Sequence, residues 1–559
     1  MIADLNETSS AEPLAYDVCI VGSGPAGMTV ACELRDAGLR ICVLESGKRR
    51  TSRHGDRLRR VLSEGIPIKE YSRERVLGGA STTWAGLSSP LDEVDLRPRP
   101  FLRHSGWPIS REELLPFYGE AAERYRFPPL SFFGPEGFGA IREEGDVQPT
   151  WDRIDEKVFL ACSQPQNFGR EFCGVFEEPG IDLYLDATLL CLEGAPGGGR
   201  IDTGRVRSSG GNELRVRAAI WVVATGGIEN ARLLLNSRDL CPRGLGNERD
   251  QVGRYMMNHP KNYYGILRLD QPVTELPYYF GCLYQDYAGY SGLRLRQDLQ
   301  AERGLLNSYV RFEPLFPWSD NPGVEALVFF VKHSQFVFTR WKARKQGKLI
   351  SLRDYSETGD DSDLQNERKS ALELVALLGK VIANLPRVSQ YLYFRLIERA
   401  RPRIRRVRLR NFMEMEPDPE NRVVLSEELD DYGQPLPLVR HRCTELDRRS
   451  LIALHEVLVE ELPRAGLGQL VTRLHEEESW PITQDASHHM GTTRMGRDPA
   501  TSVVDPDCRL HGVENVYLAG ASVFPTSGCA NPTFTLVALA IRLARHLRRD
   551  VFGHEPSSA

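Results

Sequence analysis

The stretch that most narrows the fold runs from residue 16 to residue 46. Residues 16–21, Tyr-Asp-Val-Cys-Ile-Val, read as a buried strand. Gly22-Ser23-Gly24-Pro25-Ala26-Gly27 follows at once, then a helix over about 25–37 that Gly38 stops, then a second strand over 41–44 ending on Glu45-Ser46. A G-x-G-x-x-G turn alone says little. Placed between strand and helix, with an acid closing the next strand, it is the signature of a dinucleotide-binding βαβ unit. The glycines let backbone N–H groups approach a pyrophosphate at the helix N-terminus, and Glu45 would take the ribose hydroxyls. The alternative is a turn that only packs a helix on a sheet.

Three further stretches have the same small-residue character. After Arg75-Val-Leu comes Gly78-Gly79-Ala80-Ser81-Thr82-Thr83-Trp84-Ala85-Gly86, a loop whose backbone could lie flat against a planar ligand, with Trp84 as wall or core. Segments 181–192 (holding Leu189) and 213–223 read as strands flanking a Gly-rich hairpin, and the second runs into Ala224-Thr225-Gly226-Gly-Ile-Glu-Asn230 and a helix to about 235. Near the C-terminus, Ser487-His488-His489-Met-Gly-Thr-Thr precedes a short strand over 516–520 that ends in Gly520-Ala521. Then Ala530-Asn531-Pro532-Thr533 opens an apolar-periodic helix over about 533–549. Pro532 suits a first helical position, and that helix end offers unpaired N–H groups and positive dipole to a neighbouring anion. His488 is a candidate base and Asn531 its candidate hydrogen-bonding partner; an Asn before Pro is also a good helix cap.

The length of 559 residues suggests roughly three or four domain-sized units, which interleaved segments could reduce to two large ones; with 41% hydrophobic and 26% charged residues the chain reads as an ordinary soluble protein, and its net charge of −5 gives no nucleic-acid footprint. No run has the ~18 apolar residues of a membrane span. The start is polar and unlike a signal peptide, and the 11 scattered Cys include no C-x-x-C pair. The expectation is a cytoplasmic protein with reduced thiols and no metal site. Ser110 and Glu113 form a capping-box pattern. Residues 258–322 are rich in Tyr and Phe, including Tyr290, read mainly as packing, with stacking on the C–H faces of a sugar as the alternative. Residues 324–409 read as mostly helical, with an acidic loop over 357–363 and basic runs at 340–348 and 399–410 taken as solvated faces. Residues 413–425 alternate into a strand and 444–462 form a helix.

Taken together, Gly22-x-Gly24-x-x-Gly27 with Glu45, Arg75-Val-Leu-Gly-Gly-Ala-Ser, Ala224-Thr-Gly-Gly-Ile-Glu-Asn, His488-His-Met-Gly-Thr-Thr and Ala530-Asn-Pro-Thr stand in the order found in one family. The chain resembles the glucose–methanol–choline (GMC) flavoprotein oxidoreductases, in their bacterial, pyranose-oxidase-like branch. The resemblance spans residues 16 to 550 and is loose over 255–480. It implies a mixed α/β fold: a Rossmann-like FAD-binding domain from 16–255 and 485–550, and a substrate domain over 256–484 with an antiparallel sheet and a helical insert at about 324–409. Residues 1–15 and 551–559 would be flexible tails. It implies FAD contacts from the small-residue stretches, including Ser46, Arg75, Leu189, Asn230, Gly520, Ala521, Pro532 and Thr533. FAD would be non-covalent, because Thr83 stands where covalent relatives carry His. It also implies oxidation of a CH–OH group of a sugar, aminosugar, polyol or other alcohol, with hydride passing to flavin N5 and His488, rather than His489, as base. The electron acceptor stays open between oxygen, a quinone and a redox protein, with a dehydrogenase favoured over an oxidase. A flavin-bearing lyase without net redox and a non-catalytic FAD-binding subunit are the other readings.

Overall fold

The computed structural model describes residues 1–7, 13–142, 147–195, 197–333, 350–351, 369–396, 402–476, 480 and 484–554. The strand Leu14–Val21 lies in the middle of an eight-stranded sheet, pairing in parallel with Ile41–Leu44 on one side and Glu213–Val223 on the other. Strands covered on both faces need apolar residues throughout rather than alternation, and Val18, Cys19, Ile20 and all of Ile41–Leu44 are buried. Ile181–Leu185 and Ile2–Asp4 extend this sheet in parallel, and Val516–Leu518 joins the end of Glu213–Val223. The C-terminal segment therefore returns to the first βαβ unit. Its helix, Pro532–His546, packs against Pro25–Leu34 and Arg111–Tyr125. The Ser110 capping box forms as expected.

A second sheet of eight strands is antiparallel, with Tyr309–Pro314, Ile404–Phe412 and Lys261–Val273 side by side. Alternation gives it two unlike faces. Val310, Phe312, Val407, Leu409 and Leu267 point into a core closed by the helix Glu445–Arg464. Tyr309, Arg311, Phe412, Arg410 and Lys261 point the other way, into a cavity.

Several expectations are corrected. Ile2–Asp4 is not tail but edge strand, because its backbone pairs with Leu183 to Leu185. Residues 181–192 split into Ile181–Leu185 and Thr188–Gly194, broken at Asp186, whose φ is 55°. Ile154–Cys162 falls in the second sheet, against Tyr287–Leu295, and not in the first unit. The helical insert ends before 404, since Ile404–Phe412 is a central strand, and the later strand is Arg422–Leu429, not 413–425. Of the basic run 399–410, Arg405 and Arg406 are exposed, but Arg410 is only 7% exposed and faces the cavity. The run 340–348 and the acidic loop lie outside the described residues, as does the C-terminal tail from 555. All eleven cysteines are unbridged. Among the described residues no helix is long and apolar enough to cross a membrane.

Candidate active site

One cavity of about 900 Å³ runs from the first glycine loop to the C-terminal helix. At the end by the first glycine loop, where the sequence leads one to expect a nucleotide, the chain turns sharply at Gly22, with φ +100°, and a Cβ there would sit 2.7 Å from the Ala224 carbonyl. At Gly27 a Cβ would meet the Gly22 carbonyl at 2.0 Å, so the helix can approach the strand only with glycine there. Gly24 caps the helix Pro25–Leu34 by backbone alone, and Gly24, Gly226 and Gly520 border open space. These are positions where a planar or phosphorylated ligand can meet bare backbone.

Glu45 is buried at the tip of its strand. Its carboxylate accepts from the Ser23 amide at 3.0 Å, the Ser23 hydroxyl at 2.6 Å and the Gly47 amide at 2.7 Å. A carboxylate has about four acceptor sites, so Glu45 both braces the glycine loop and keeps a site for a ligand hydroxyl. Burial pushes its pKa up, against those donors and the charge of Arg75. Ser23 also accepts from the Gly78 amide at 3.2 Å, which ties the first loop to the second. Arg75 bonds Ser46 Oγ at 3.1 Å and pairs with Glu229 at 2.8 Å.

Most expected contact residues line the cavity: Gly22, Gly24, Pro25, Ala26, Glu45, Ser46, Arg75, Gly79, Ser81, Trp84, Ala85, Leu189, Ala224, Thr225, Gly226, Gly520, Ala521, Asn531, Pro532 and Thr533. Five stand behind it instead. Ser23, Gly27 and Gly78 shape the loops, and Thr82 turns its hydroxyl to the Gly79 carbonyl. Asn230 is a buried fastener: its oxygen accepts from Thr225 N and Oγ1, and its Nδ2 donates to the Ala519 carbonyl and Ser522 Oγ. Trp84 is wall and anchor together, its indole N–H bonded to the Gln166 carbonyl at 2.6 Å.

At the other end, His488 and Asn531 face one another. Asn531 Nδ2 lies 3.2 Å from His488 Nε2. Asn531 occupies the cap position of the helix Pro532–His546 but its side chain makes no cap hydrogen bond, so the amide is directed to the imidazole. His488 Nδ1 meets His259 Nδ1 at 2.9 Å. The His488 and His259 amides both donate to Asn258 Oδ1, at 3.1 and 2.8 Å. Asn258 is held in turn by Asp485, which also accepts from the Ser487 and Lys69 amides. His489 Nε2 lies 3.4 Å from Asp485. Burial opposes the Asp485 charge, yet His489 and these donors hold its pKa far below the carboxylate range. Burial, reinforced by His259 and Lys261, drives the His488 pKa well below the ordinary histidine value. His488 is therefore neutral near pH 7 and can accept a proton, while His489 is engaged with a carboxylate.

Sequence reasoning missed Lys261, Tyr309, Arg311, Arg410 and Phe412, which line the same cavity, and read Tyr290 mainly as packing with stacking on a sugar as the alternative. Arg311 stacks over the Tyr290 ring at 4.0 Å and Arg410 over Phe412 at 5.0 Å. It also missed His259. Of the aromatic stretch, Tyr278, Tyr279 and Phe280 are core, as expected, whereas Tyr290 lines the cavity.

Comparison with known proteins agrees with this architecture. The GMC oxidoreductase family profile matches residues 417–540, and the profile of an FAD binding domain matches residues 15–57. The 6'''-hydroxyparomomycin C oxidase of Streptomyces lividus is 25% identical over 96% of this chain and 93% of its own length. The fructose dehydrogenase large subunit of Gluconobacter japonicus is 24% identical over 97% of this chain and 99% of its own. Pyridoxine 4-oxidase from Mesorbium loti has the same fold, with a TM-score of 0.56 and 16% identity, covering 97% of this chain and all of that one.

Proposed function

The chain belongs to the GMC oxidoreductases, enzymes that use FAD to act on CH–OH donors, and on that premise we propose that His488 is its catalytic base and Asn531 the residue that holds the reacting hydroxyl. The observation that carries this is the 3.2 Å approach of the Asn531 amide to His488 Nε2 beside the cavity. A carbinol oxygen entering between them can give its proton to Nε2 while accepting from the Asn531 amide. FAD, when bound, supplies the two-electron acceptor for the hydride. The N-terminus of the helix Pro532–His546 borders the same space and favours negative charge there. The names of the relatives support a sugar, aminosugar or related alcohol as substrate, and the aromatic and cationic wall supports a polar, ring-shaped one. An anaerobic screen of sugars, aminosugars and polyols for flavin bleaching, followed by reoxidation with oxygen or a quinone, tests the reading and identifies the acceptor. Turnover without bleaching would transfer the protein to the lyases, and no turnover with any alcohol would sink the reading.

The pKa shift sets the pH dependence. Only the neutral imidazole takes the proton, so reduction speeds up as pH rises through the His488 pKa and then levels off. Because that pKa lies well below 6.5, the rate of flavin reduction is expected to be flat at and above neutrality and to fall only in acid. A limb centred above pH 7 would point to another base.

FAD is expected to be bound without a covalent link, since Thr83, at the cavity wall, has a hydroxyl and no nucleophilic nitrogen. Acid precipitation should leave all yellow colour in the supernatant; colour in the washed pellet would refute this.

A further inference from the structure

The hydrogen bonds behind His488 carry a directional argument. His259 is 2% exposed, and its two ring nitrogens face Gly528 and His488, with the Ser527 backbone also acting on the ring. Its Nε2 lies 2.9 Å from the Gly528 carbonyl and its Nδ1 lies 2.9 Å from His488 Nδ1. A carbonyl oxygen can only accept, so His259 Nε2 carries a hydrogen. Burial lowers the His259 pKa to about 4, so the ring has no second N–H near neutrality. His259 Nδ1 is then an acceptor, and the 2.9 Å contact exists only if His488 Nδ1 donates. A neutral His488 protonated on Nδ1 has a bare Nε2, and the group facing Nε2 is a donor, the Asn531 amide. Every bond in the series Gly528, His259, His488, Asn531 then has one donor and one acceptor, and the opposite tautomer of His488 would set two lone pairs facing each other at His259 and two N–H donors facing each other at Asn531.

We propose that His259 is a positioning residue that fixes the proton of His488 on Nδ1 and so keeps Nε2 bare at the cavity. The proposal rests on His488 being the base. The rest of the structure holds His259 for this task. The Gly528 amide donates to Glu414 at 3.2 Å, and Glu414 is gripped by both ends of the Arg99 guanidinium at 2.8 and 2.5 Å. The peptide at Gly528 is thus pinned on its N–H side by a buried ion pair and offers its carbonyl to His259. Asn258 sets the backbones of both histidines with one oxygen. During turnover the proton arriving at His488 Nε2 makes an imidazolium, whose Nδ1–H then donates to His259 as a charge-assisted bond. His259 therefore acts twice: it selects the tautomer and it stabilises the cation.

Two variants test this in the FAD-loaded full chain. His259→Phe keeps a ring and removes the acceptor. His259→Asn puts Oδ1 where the ring carries Nδ1 and keeps it. Histidine ¹⁵N spectra, with the His488 signals found by their loss in His488→Ala, should show a pyrrole-type Nδ1 and a pyridine-type Nε2 in the wild type and in His259→Asn. They should show mixed tautomers in His259→Phe. The limiting rate of flavin reduction should fall on the order of 10–100-fold in His259→Phe, the range expected for one hydrogen bond to a charged group. The substrate concentration for half-maximal reduction should change little, and His259→Asn should recover most of the rate. A wild-type His488 protonated on Nε2 overturns the proposal, as does a His259→Phe protein that reduces at the wild-type rate or a His259→Asn protein as slow as His259→Phe. If no alcohol reduces the flavin, the oxidation reading falls, and the ¹⁵N spectra still decide the tautomer.

Discussion

His488→Ala slows anaerobic reduction of the flavin by roughly 10²–10⁴-fold, the usual contribution of a general base, and leaves FAD bound. This is the expected result, because the imidazole lies at the end of the cavity next to Asn531 while the end by the first glycine loop is built from other segments. Stopped-flow reduction with a substrate from the bleaching screen is the measurement. Asn531→Ala should slow the same step less, since it removes a positioning bond and leaves the base. The double variant should not show the product of the two effects, because in the proposed mechanism both groups act on one oxygen. His489→Ala should be mild for the chemistry, since that ring is turned to Asp485. A crippled His489→Ala beside a normal His488→Ala would move the catalytic role by one residue. Unchanged reduction rates in both would mean that the proton leaves by another route.

Glu45→Arg is expected to yield protein without FAD. The carboxylate accepts three hydrogen bonds in a buried place, from Ser23 twice and Gly47 once. A guanidinium accepts none, and each amide left unpaired costs about 1–3 kcal/mol. It would also bring a cation toward Arg75, whose charge acts on Glu45 in the wild type. The expected loss therefore has two parts: the acceptor site open to a ligand hydroxyl vanishes, and the glycine loop loses its brace. Glu45→Gln separates them. Its amide oxygen can still accept, so flavin should be retained with weaker affinity. The flavin-to-protein absorbance ratio of the purified variants is the readout, with thermal melting to show that the arginine variant is folded. A Glu45→Arg protein carrying a full complement of flavin would remove Glu45 from the nucleotide site.

What could be read from the chain before its structure follows from how local each signal is. Residues 16–45 form their strand, turn, helix and strand in sequence order, and the turn's glycines are demanded by contacts inside the unit and by one neighbouring strand. His488 and Asn531 stand out in the sequence as candidates through a pattern of residues around each. The Asp485 contact of His489 and the uncapped Asn531 side chain are the physical grounds for proposing them over His489 and over a helix cap. His259 lies 229 positions before its partner, and nothing around it in sequence distinguishes it from a core histidine. The cavity side of the second sheet was illegible for another reason. Which residues of Tyr309–Pro314, Ile404–Phe412 and Lys261–Val273 share a face depends on being strands at all, and Ile-Arg-Arg-Val-Arg-Leu-Arg-Asn-Phe looks like a charge run until its neighbours are known. The edge strand Ile2–Asp4 was lost likewise, being three residues whose identity as strand comes wholly from Leu183 to Leu185.

The two faces of those three strands give the protein room to change. Val310, Phe312, Val407 and Leu409 are committed to the core behind the sheet, while Tyr309, Arg311, Arg410 and Phe412 alternate with them on the cavity side, where Tyr309 stacks on Phe159 and Phe412. A substitution of Arg311 or Arg410 on the cavity side alters the shape and charge of the cavity without removing an apolar side chain from the core behind the sheet, whereas Tyr309 and Phe412 also hold a small buried cluster with Phe159, Tyr290 and Cys529. Substrate preference can thus drift one residue at a time while the packing beneath stays constant. Relatives bearing names as different as a paromomycin oxidase and a fructose dehydrogenase, over nearly the whole chain at about a quarter identity, are what such an arrangement would leave behind.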